Sequence, residues 1–185
     1  MIVLSCNIRG LNSLGKQRYL KERIQTGKPS IMVIQETKME SQVLIETIRK
    51  LKIGYEVMAL DAIAIAGGLA ILWNPKEVIF EHWFTLPRML SGLFRLVGMG
   101  ERILFTGVYG PHNYRDRRDF LKNFHIMRSL IPNIPWIIGG DFNMIRTLDE
   151  KRGGLRREDG SMEEFNDMIR DLRLVDIPTI NGTYT

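Results

Sequence analysis

The sequence predicts an α+β fold in which two packed, mostly antiparallel β-sheets are flanked by helices. Strand-like runs arrive in blocks rather than in strict alternation with helices, which separates this pattern from a Rossmann fold. With 185 residues, 44% of them hydrophobic, the chain can bury one substantial core. We therefore expect a single domain that spans residues 1–185.

Eight short runs have the apolar, often branched or aromatic character of strands, and turn-forming or polar residues separate them. The predicted strands are Val3–Asn7, Ile31–Gln35, Tyr55–Leu60, Leu69–Trp73, Val78–Leu86, Gly92–Val97, Arg102–Tyr109 and Trp136–Gly140. Met99-Gly100 is typical of the turn between two strands of a hairpin.

Four segments show helical spacing of apolar residues. They are Lys16–Gln25, Ser41–Leu51, a basic segment that Asn113 and Asp116 open and Pro132 ends, and a segment that begins with a Ser161–Glu164 capping box. Their expected buried positions are Leu20 and Ile24; Val43, Leu44, Ile48 and Leu51; Phe120, Phe124 and Met127; and Phe165, Met168, Ile169 and Leu172.

The chain is basic, with 26 Lys and Arg against 21 Asp and Glu. The bases concentrate in Arg9–Lys28, Arg115–Arg128 and Arg146–Arg157. Lys and Arg that neutralise phosphates release condensed counterions, so these segments favour a polyanion as partner. For any one segment, an ordinary solvated face is the alternative interpretation.

Cysteine content and hydropathy predict the compartment. A single cysteine, Cys6, excludes an internal disulfide and a cysteine-based zinc cluster, which favours a reducing, intracellular setting in the nucleus or cytoplasm. We expect no association with membranes, because no apolar run is long enough to cross a bilayer and no secretory signal is evident.

The segment Trp136–Asn143 carries the most informative pattern. A strand delivers Gly139-Gly140-Asp141-Phe142-Asn143 to its carboxyl end, where Asp141 and Asn143 share one side of an extended segment. Asp141 can orient or deprotonate a water, and Asn143 can donate to a phosphoryl oxygen. A simple Asx turn after a strand is the alternative.

Three further polar residues end predicted strands. Glu36 follows four apolar residues, and a lone carboxylate suits Mg²⁺, which keeps several waters and substrate oxygens as ligands. Asn7 could lie beside Glu36 if the two strands are neighbours, and the phenol of Tyr109 could donate to a phosphate oxygen. A solvated glutamate, a turn-forming asparagine and a packed tyrosine are the alternatives.

Taken in order, these segments resemble the endonuclease/exonuclease/phosphatase superfamily, and especially the endonuclease domains of LINE-type (non-LTR) retrotransposons. The resembling segments are Ser5–Asn12, Ile34–Lys38, Val108–Pro111, Gly140–Asn143 and Gly182–Thr185. Gly67–Trp73 also resembles the glycine-led central strand of plant-like LINE sequences. Cys6 departs from the tryptophan that usually precedes the asparagine.

The resemblance implies a DNase I-like four-layer sandwich and magnesium-dependent phosphodiester hydrolysis, with manganese possible. By that resemblance, Glu36 anchors the metal with help from Asn7, and Asp141 positions the attacking water. Asn143 and Tyr109 would hold the scissile phosphate of DNA, and cleavage would leave a 3′-hydroxyl. The five residues are expected to converge on one pocket, with the basic segments along the DNA backbone.

The family pattern continues past Tyr184-Thr185 to an Asp and a Ser-Asp-His segment. We therefore expect a domain that is incomplete at its C-terminus, with its last strands missing. Loss of a positioned proton-transfer group costs about 10²–10⁴-fold in rate, so impaired activity is expected. Of the three histidines, His112 lies nearest a motif, but a histidine in a turn is usually only exposed.

Two other functions stay open at this stage. The first is a non-catalytic nucleic-acid-binding remnant, which would bind DNA without cutting it. The second keeps the fold and acts on a lipid or inositol phosphate, since such relatives also carry the Glu and Gly-Asp-x-Asn segments. Only Gly67–Trp73 and the basic segments favour DNA.

Overall fold

The computed structural model describes residues 1–63, 66–150 and 160–177. The family-like Gly182–Thr185 segment lies outside these residues, as does the Lys151–Arg157 part of the third basic segment.

Eight strands, four α-helices and two short 3-10 helices form within the described residues. The strands are β1 (Val3–Asn7), β2 (Ile31–Gln35), β3 (Glu56–Ile63), β4 (Ala66–Trp73), β5 (Val78–Leu86), β6 (Met89–Leu96), β7 (Arg102–Tyr109) and β8 (Trp136–Asp141). The helices are α1 (Leu14–Gly27), α2 (Ser41–Lys50), α3 (Arg117–Leu130) and α4 (Gly160–Asp171).

The strands form two four-stranded sheets with the orders β1-β2-β4-β3 and β5-β6-β7-β8. In the first sheet β1 and β2 are parallel, and β4 is antiparallel to both β2 and β3. In the second, β6 is antiparallel to β5 and β7. This α+β architecture, two sheets with flanking helices, confirms the fold class predicted from the sequence.

The chain divides into two compact units, one comprising Met1–Tyr109 with Ile134–Gly140 and the other Gly110–Asn133 with Asp141–Thr185. The first unit holds both sheets together with α1 and α2. The second holds α3 and α4.

Strand β2 lies at the centre of the first unit, buried along its whole length. Ile31 and Val33 pack into a core between the two sheets, against residues such as Phe94 and Phe105. The intervening residues Met32 and Ile34 point the other way and pack with α1 and α2. Burial on both faces is why the run is uniformly apolar rather than alternating.

In the second unit, aromatic side chains pack around the segment that follows β8. Phe142 stacks on Phe124 of α3 with ring centroids 5.9 Å apart, and contacts Phe165 of α4 at 5.2 Å. Phe124 also meets Phe120 edge-on at 5.2 Å. The predicted burial of Phe120, Phe124 and Phe165 is therefore confirmed.

Three sequence predictions need correction in detail. Helix α1 begins two residues earlier than predicted, because the Ser13 side chain accepts a hydrogen bond from the Lys16 backbone and caps it. Val43 is 47% exposed rather than buried, since it lies about 100° around α2 from Leu44. Ser161 lies inside α4, which begins at Gly160, and its hydroxyl accepts from an arginine on α3.

Strand β6 also begins three residues before the predicted start. Leu86 pairs directly with Met89, so Pro87 and Arg88 form a two-residue hairpin turn. Arg88 adopts a left-handed backbone with φ of 66°, a conformation that its residue type does not signal. The turn at Pro87 and Arg88 is therefore absent from the predicted elements.

None of the helices in the described residues combines the length and apolar composition needed to cross a membrane.

A buried polar network links three strands of the second sheet. The Thr106 hydroxyl lies 2.8 Å from the Ser91 hydroxyl and accepts a hydrogen bond from Trp136 Nε1, also at 2.8 Å. Ser91 and Thr106 are fully buried. Buried polar groups that lose a partner bear their full desolvation cost.

Replacing Thr106 with valine keeps its shape but removes the shared hydroxyl. We expect Thr106→Val to lower the free energy of unfolding by about 1–3 kcal/mol, measured by urea denaturation. Thr85→Val on β5, where the side chain is exposed, is the matched control and should change stability little. Equal effects of the two substitutions would contradict a structural role for the network.

Candidate active site

The ends of β1 and β2 place Asn7 beside Glu36. The two strands are parallel with Asn7 opposite Gln35, so Glu36 follows immediately at the same edge of the sheet. Asn7 Nδ2 donates a hydrogen bond to Glu36 Oε1 at 2.7 Å. Strands β1 and β2 are therefore neighbours, which was the condition for Asn7 to lie beside Glu36.

Glu36 is held in a left-handed backbone conformation, with φ of 53°. Such a conformation costs a non-glycine residue about 1–3 kcal/mol and persists only where its surroundings enforce it. Gly10 N–H donates to the Glu36 carbonyl at 2.6 Å, and Lys38 N–H donates to the Gly67 carbonyl at 3.2 Å. Main-chain bonds from two neighbouring segments therefore fix the direction in which the carboxylate points.

The Glu36 carboxylate is charged and mostly shielded, with 17% of its side chain exposed. Partial burial raises its pKa, but hydrogen bonds from Asn7 and Tyr109, together with the charges of Lys38 and Arg9, outweigh burial and lower the pKa. Lys38 Nζ lies 3.9 Å from Glu36 Oε2. Glu36 is therefore ionised at neutral pH and available to a cation.

Asp141 and Asn143 form a second hydrogen-bonded group at the end of β8. The Asn143 backbone N–H donates to Asp141 Oδ1 at 3.0 Å, and Asn143 Nδ2 donates to the Gly110 carbonyl at 2.8 Å. Gly110 N–H in turn donates to the Asp141 carbonyl at 2.7 Å. Asn143 is left-handed, with φ of 51°, which asparagine tolerates better than most residues.

Two glycines permit this arrangement. A Cβ on Gly110 would lie 1.8 Å from the Phe142 carbonyl oxygen, and one on Gly140 would lie 2.1 Å from the Val108 carbonyl oxygen. Gly140 also has φ of 146°, a backbone conformation that favours glycine. Backbone approaches this close exclude every other residue at both positions.

The five predicted site residues therefore fall into two groups. Asn7, Glu36 and Tyr109 belong to the first unit and are linked by hydrogen bonds to the Glu36 carboxylate. Asp141 and Asn143 belong to the second unit. His112 is exposed in the turn after β7, as expected for a turn histidine.

Sequence reasoning missed the cations around Glu36 and the arginine that reaches Asn143. Lys38 and Arg9 stand beside the carboxylate, although the sequence analysis counted Arg9 only as part of a basic segment. Arg117 donates to the Asn143 carbonyl and had been treated as one base among many. Its position as the first residue of a helix was the available signal, because a base is unfavourable there.

Within residues 1–63, 66–150 and 160–177, no cluster of three or more His, Cys, Asp or Glu side chains could hold a metal ion. A protein-only cage is therefore not present in this part of the chain. Mg²⁺ does not need one, because it is commonly held by one or two carboxylates plus waters and substrate oxygens. The ionised Glu36 with its neighbouring amide fits that smaller donor set.

A family comparison identifies the chain. The model of the Endonuclease/Exonuclease/phosphatase family matches residues 4–185, nearly the whole sequence. The chain belongs to this family. Family membership indicates hydrolysis of phosphodiesters or phosphate esters, as the sequence predicted at that level.

Several solved structures share the fold of this chain. An AP endonuclease from Archaeoglobus fulgidus matches with a TM-score of 0.71 and 16% identity, over 92% of this chain and 70% of that one. A mannosyl-6-phosphatase from Bacteroides thetaiotaomicron matches with a TM-score of 0.66 and 17% identity, over 89% of this chain and 69% of that one. D. rerio TDP2 complexed with single-strand DNA product matches with a TM-score of 0.60 and 16% identity, over 77% of this chain and 60% of that one.

A comparison with curated protein sequences found no match.

The close approach at Gly140 predicts opposite outcomes for two Gly→Ala changes. Gly140→Ala should lower the free energy of unfolding by about 1–3 kcal/mol or more, because its Cβ would overlap the Val108 carbonyl. Gly15→Ala, in α1 with no atom within 4 Å of the new Cβ, should raise it by about 0.5–1 kcal/mol. Urea denaturation of both variants measures this, and a neutral Gly140→Ala would rule out the clash.

The lowered pKa of Glu36 predicts a pH-dependent contribution to stability. Because the folded-state pKa lies below the unfolded value, the stabilisation is present above the unfolded pKa and is lost as pH falls through the folded pKa. The stability difference between wild type and Glu36→Gln should therefore be largest at neutral pH and shrink below about pH 4. Glu46→Gln, at an exposed site on α2, controls for the change in charge; a difference that grows towards low pH would contradict the assignment.

Proposed function

We propose that this chain nicks DNA with the help of a bound divalent ion, in the manner of a LINE-type retroelement endonuclease domain. The observation that carries the proposal is the ionised, shielded Glu36 carboxylate, fixed by Asn7 and Tyr109 at the end of β2. Family membership supports phosphate-ester hydrolysis, and members of this family generally use divalent metal ions.

Glu36 and Asn7 would hold the ion, with Mg²⁺ the first choice and Mn²⁺ a possible substitute. The Asn7 side chain donates through Nδ2 to Glu36, while its Oδ1 accepts from the Arg9 backbone at 3.2 Å. In that role Asn7 would offer its Oδ1 to the ion. When bound, the ion supplies positive charge that stabilises the phosphate oxygens of the transition state.

Asp141 and Asn143 would act on the water and the phosphate. The Asp141 carboxylate would take the proton of the attacking water as its oxygen bonds to phosphorus. Asn143 Nδ2, which donates to the Gly110 carbonyl, would donate to a non-bridging oxygen instead. Tyr109 would likewise turn its single O–H from the Glu36 carboxylate to another phosphate oxygen. The bond to the 3′ oxygen then breaks, and that oxygen takes a proton from solvent water, which leaves a 3′-hydroxyl and a 5′-phosphate.

Surface charge favours DNA over a small phosphate ester as the substrate. Exposed bases such as Arg115 and Arg118 precede and open α3, where they can neutralise backbone phosphates. AP endonuclease and DNA-bound TDP2 are among the proteins of similar structure. The retroelement part of the proposal depends on the resemblance of Gly67–Trp73, in strand β4, to LINE sequences.

Nicking of a supercoiled plasmid tests the proposal. We expect conversion to open circles that requires Mg²⁺, is stopped by a chelator and leaves ends that a DNA polymerase extends. Glu36→Ala and Asp141→Ala should each reduce the rate by at least about 10²-fold. Glu46→Ala and Asp171→Ala, which remove exposed carboxylates elsewhere, should nick at the wild-type rate.

Two other outcomes would each point to a different function. Nicking that survives both Glu36→Ala and Asp141→Ala would reject the assigned site. DNA that is bound with a steep salt dependence, but stays uncut at every magnesium concentration, would indicate a non-catalytic binding domain. Release of phosphate from phosphoinositide-containing vesicles, from a soluble inositol phosphate or from mannose 6-phosphate, without nicking of DNA, would favour a phosphatase. Phosphatase activity is named for one similar structure.

A further inference from the structure

Arg117 occupies a position that ordinary helix electrostatics disfavour. It is the first residue of α3, where the unpaired N–H groups create partial positive charge and acidic residues are preferred. Its side chain is nevertheless drawn inward, half-buried, whereas the next residue, Arg118, has 77% of its side chain exposed. A base in this position needs compensating contacts, and the structure shows them.

The guanidinium of Arg117 bridges two segments. Nη2 donates to the Asn143 carbonyl at 3.0 Å, and Nη1 donates to the Ser161 hydroxyl on α4 at 2.6 Å. Ser161 is buried, with 9% of its surface exposed. The planar fork of arginine suits this geometry, because its donors point along fixed directions to two separate acceptors.

The contact with Asn143 completes the control of that residue's backbone. Its backbone N–H donates to Asp141 Oδ1 and its side-chain Nδ2 donates to the Gly110 carbonyl, while its own backbone carbonyl accepts from Arg117. Asn143 is also left-handed, a conformation that relaxes when its contacts are lost. Rotation at this residue would move the Asn143 amide and release the Asp141 carboxylate together.

We propose that Arg117 is a positioning residue that ties the Asp141–Asn143 segment to Ser161 of α4 and so keeps both side chains oriented for hydrolysis. The inference rests on the proposed function of Asp141 and Asn143. It does not require Arg117 to touch the substrate. Its effect on the segment passes through the hydrogen bond to the Asn143 carbonyl.

The rate of hydrogen exchange at the Asn143 backbone N–H, followed by NMR, tests this positioning role. The measurement does not require the protein to cleave DNA. Arg117→Ala should speed exchange at Asn143 by about tenfold, while slowly exchanging amides of β2 keep their rates. Arg117→Lys should restore part of the protection. Ser161→Ala should increase the exchange rate of Asn143 by a smaller factor. This variant also tests the inference if Arg117→Ala does not fold. Arg118→Ala, the neighbouring base, should leave Asn143 unchanged.

Cleavage kinetics give a second readout. Arg117→Ala should lower kcat about tenfold or more with little change in KM, because segment orientation and not DNA contact is lost. Arg118→Ala, which removes an exposed base near the proposed DNA path, should raise KM instead.

The two readouts separate the failure of this inference from failure of the proposed function. A wild-type protein that binds DNA but never cuts it would refute the proposed function, while the exchange data would still decide whether Arg117 orders Asn143. Equal Asn143 exchange in Arg117→Ala, Ser161→Ala and Arg118→Ala would overturn the inference.

Discussion

The parallel pairing of β1 and β2 is the constraint on which the site depends. It continues beyond both strand ends, where Gly10 N–H reaches the Glu36 carbonyl at 2.6 Å and Leu11 N–H reaches the Thr37 carbonyl at 3.0 Å. These bonds hold Glu36 in a backbone conformation that it would not adopt alone. The carboxylate is consequently aimed before any ligand arrives, which reduces the cost of organising the site on binding.

Asp141 and Asn143 are organised by the same means, though with different partners. Hydrogen bonds within 110–143 connect the Gly110 backbone to Asp141 and the Asn143 amide to Gly110, so neither side chain is oriented by its own rotamer preference alone. In both groups a main-chain hydrogen bond near a strand end fixes the backbone that carries the carboxylate. In the proposed function their chemistry would differ, because Glu36 would be an ionised metal ligand whereas Asp141 and Asn143 would be a proton acceptor and an amide donor.

Local pattern was enough to predict the fold class and most of the strands, whereas the roles of the candidate site residues stay a prediction. Four strands have the predicted bounds, and Asn7 and Tyr109 end theirs as expected, because buried apolar runs stop where polar residues reach the surface. Tertiary contacts were not readable in this way. The link from Arg117 to Asn143 joins residues 26 positions apart, and the Ser161 hydroxyl was assigned to a helix cap when it binds an arginine. The left-handed turns at Glu36 and Arg88 were also missed, because neither residue type signals them.

The tight backbone approaches at Gly110 and Gly140 bear on how such a protein can change over evolutionary time. Where main-chain atoms set the shape of a loop, the surrounding side chains can be exchanged freely as long as the few glycines and polar residues stay. A protein with only 16% identity, the AP endonuclease from Archaeoglobus fulgidus, shares the fold of this chain. Mutational drift in this chain should accordingly be fast around the loops and nearly halted at these two positions.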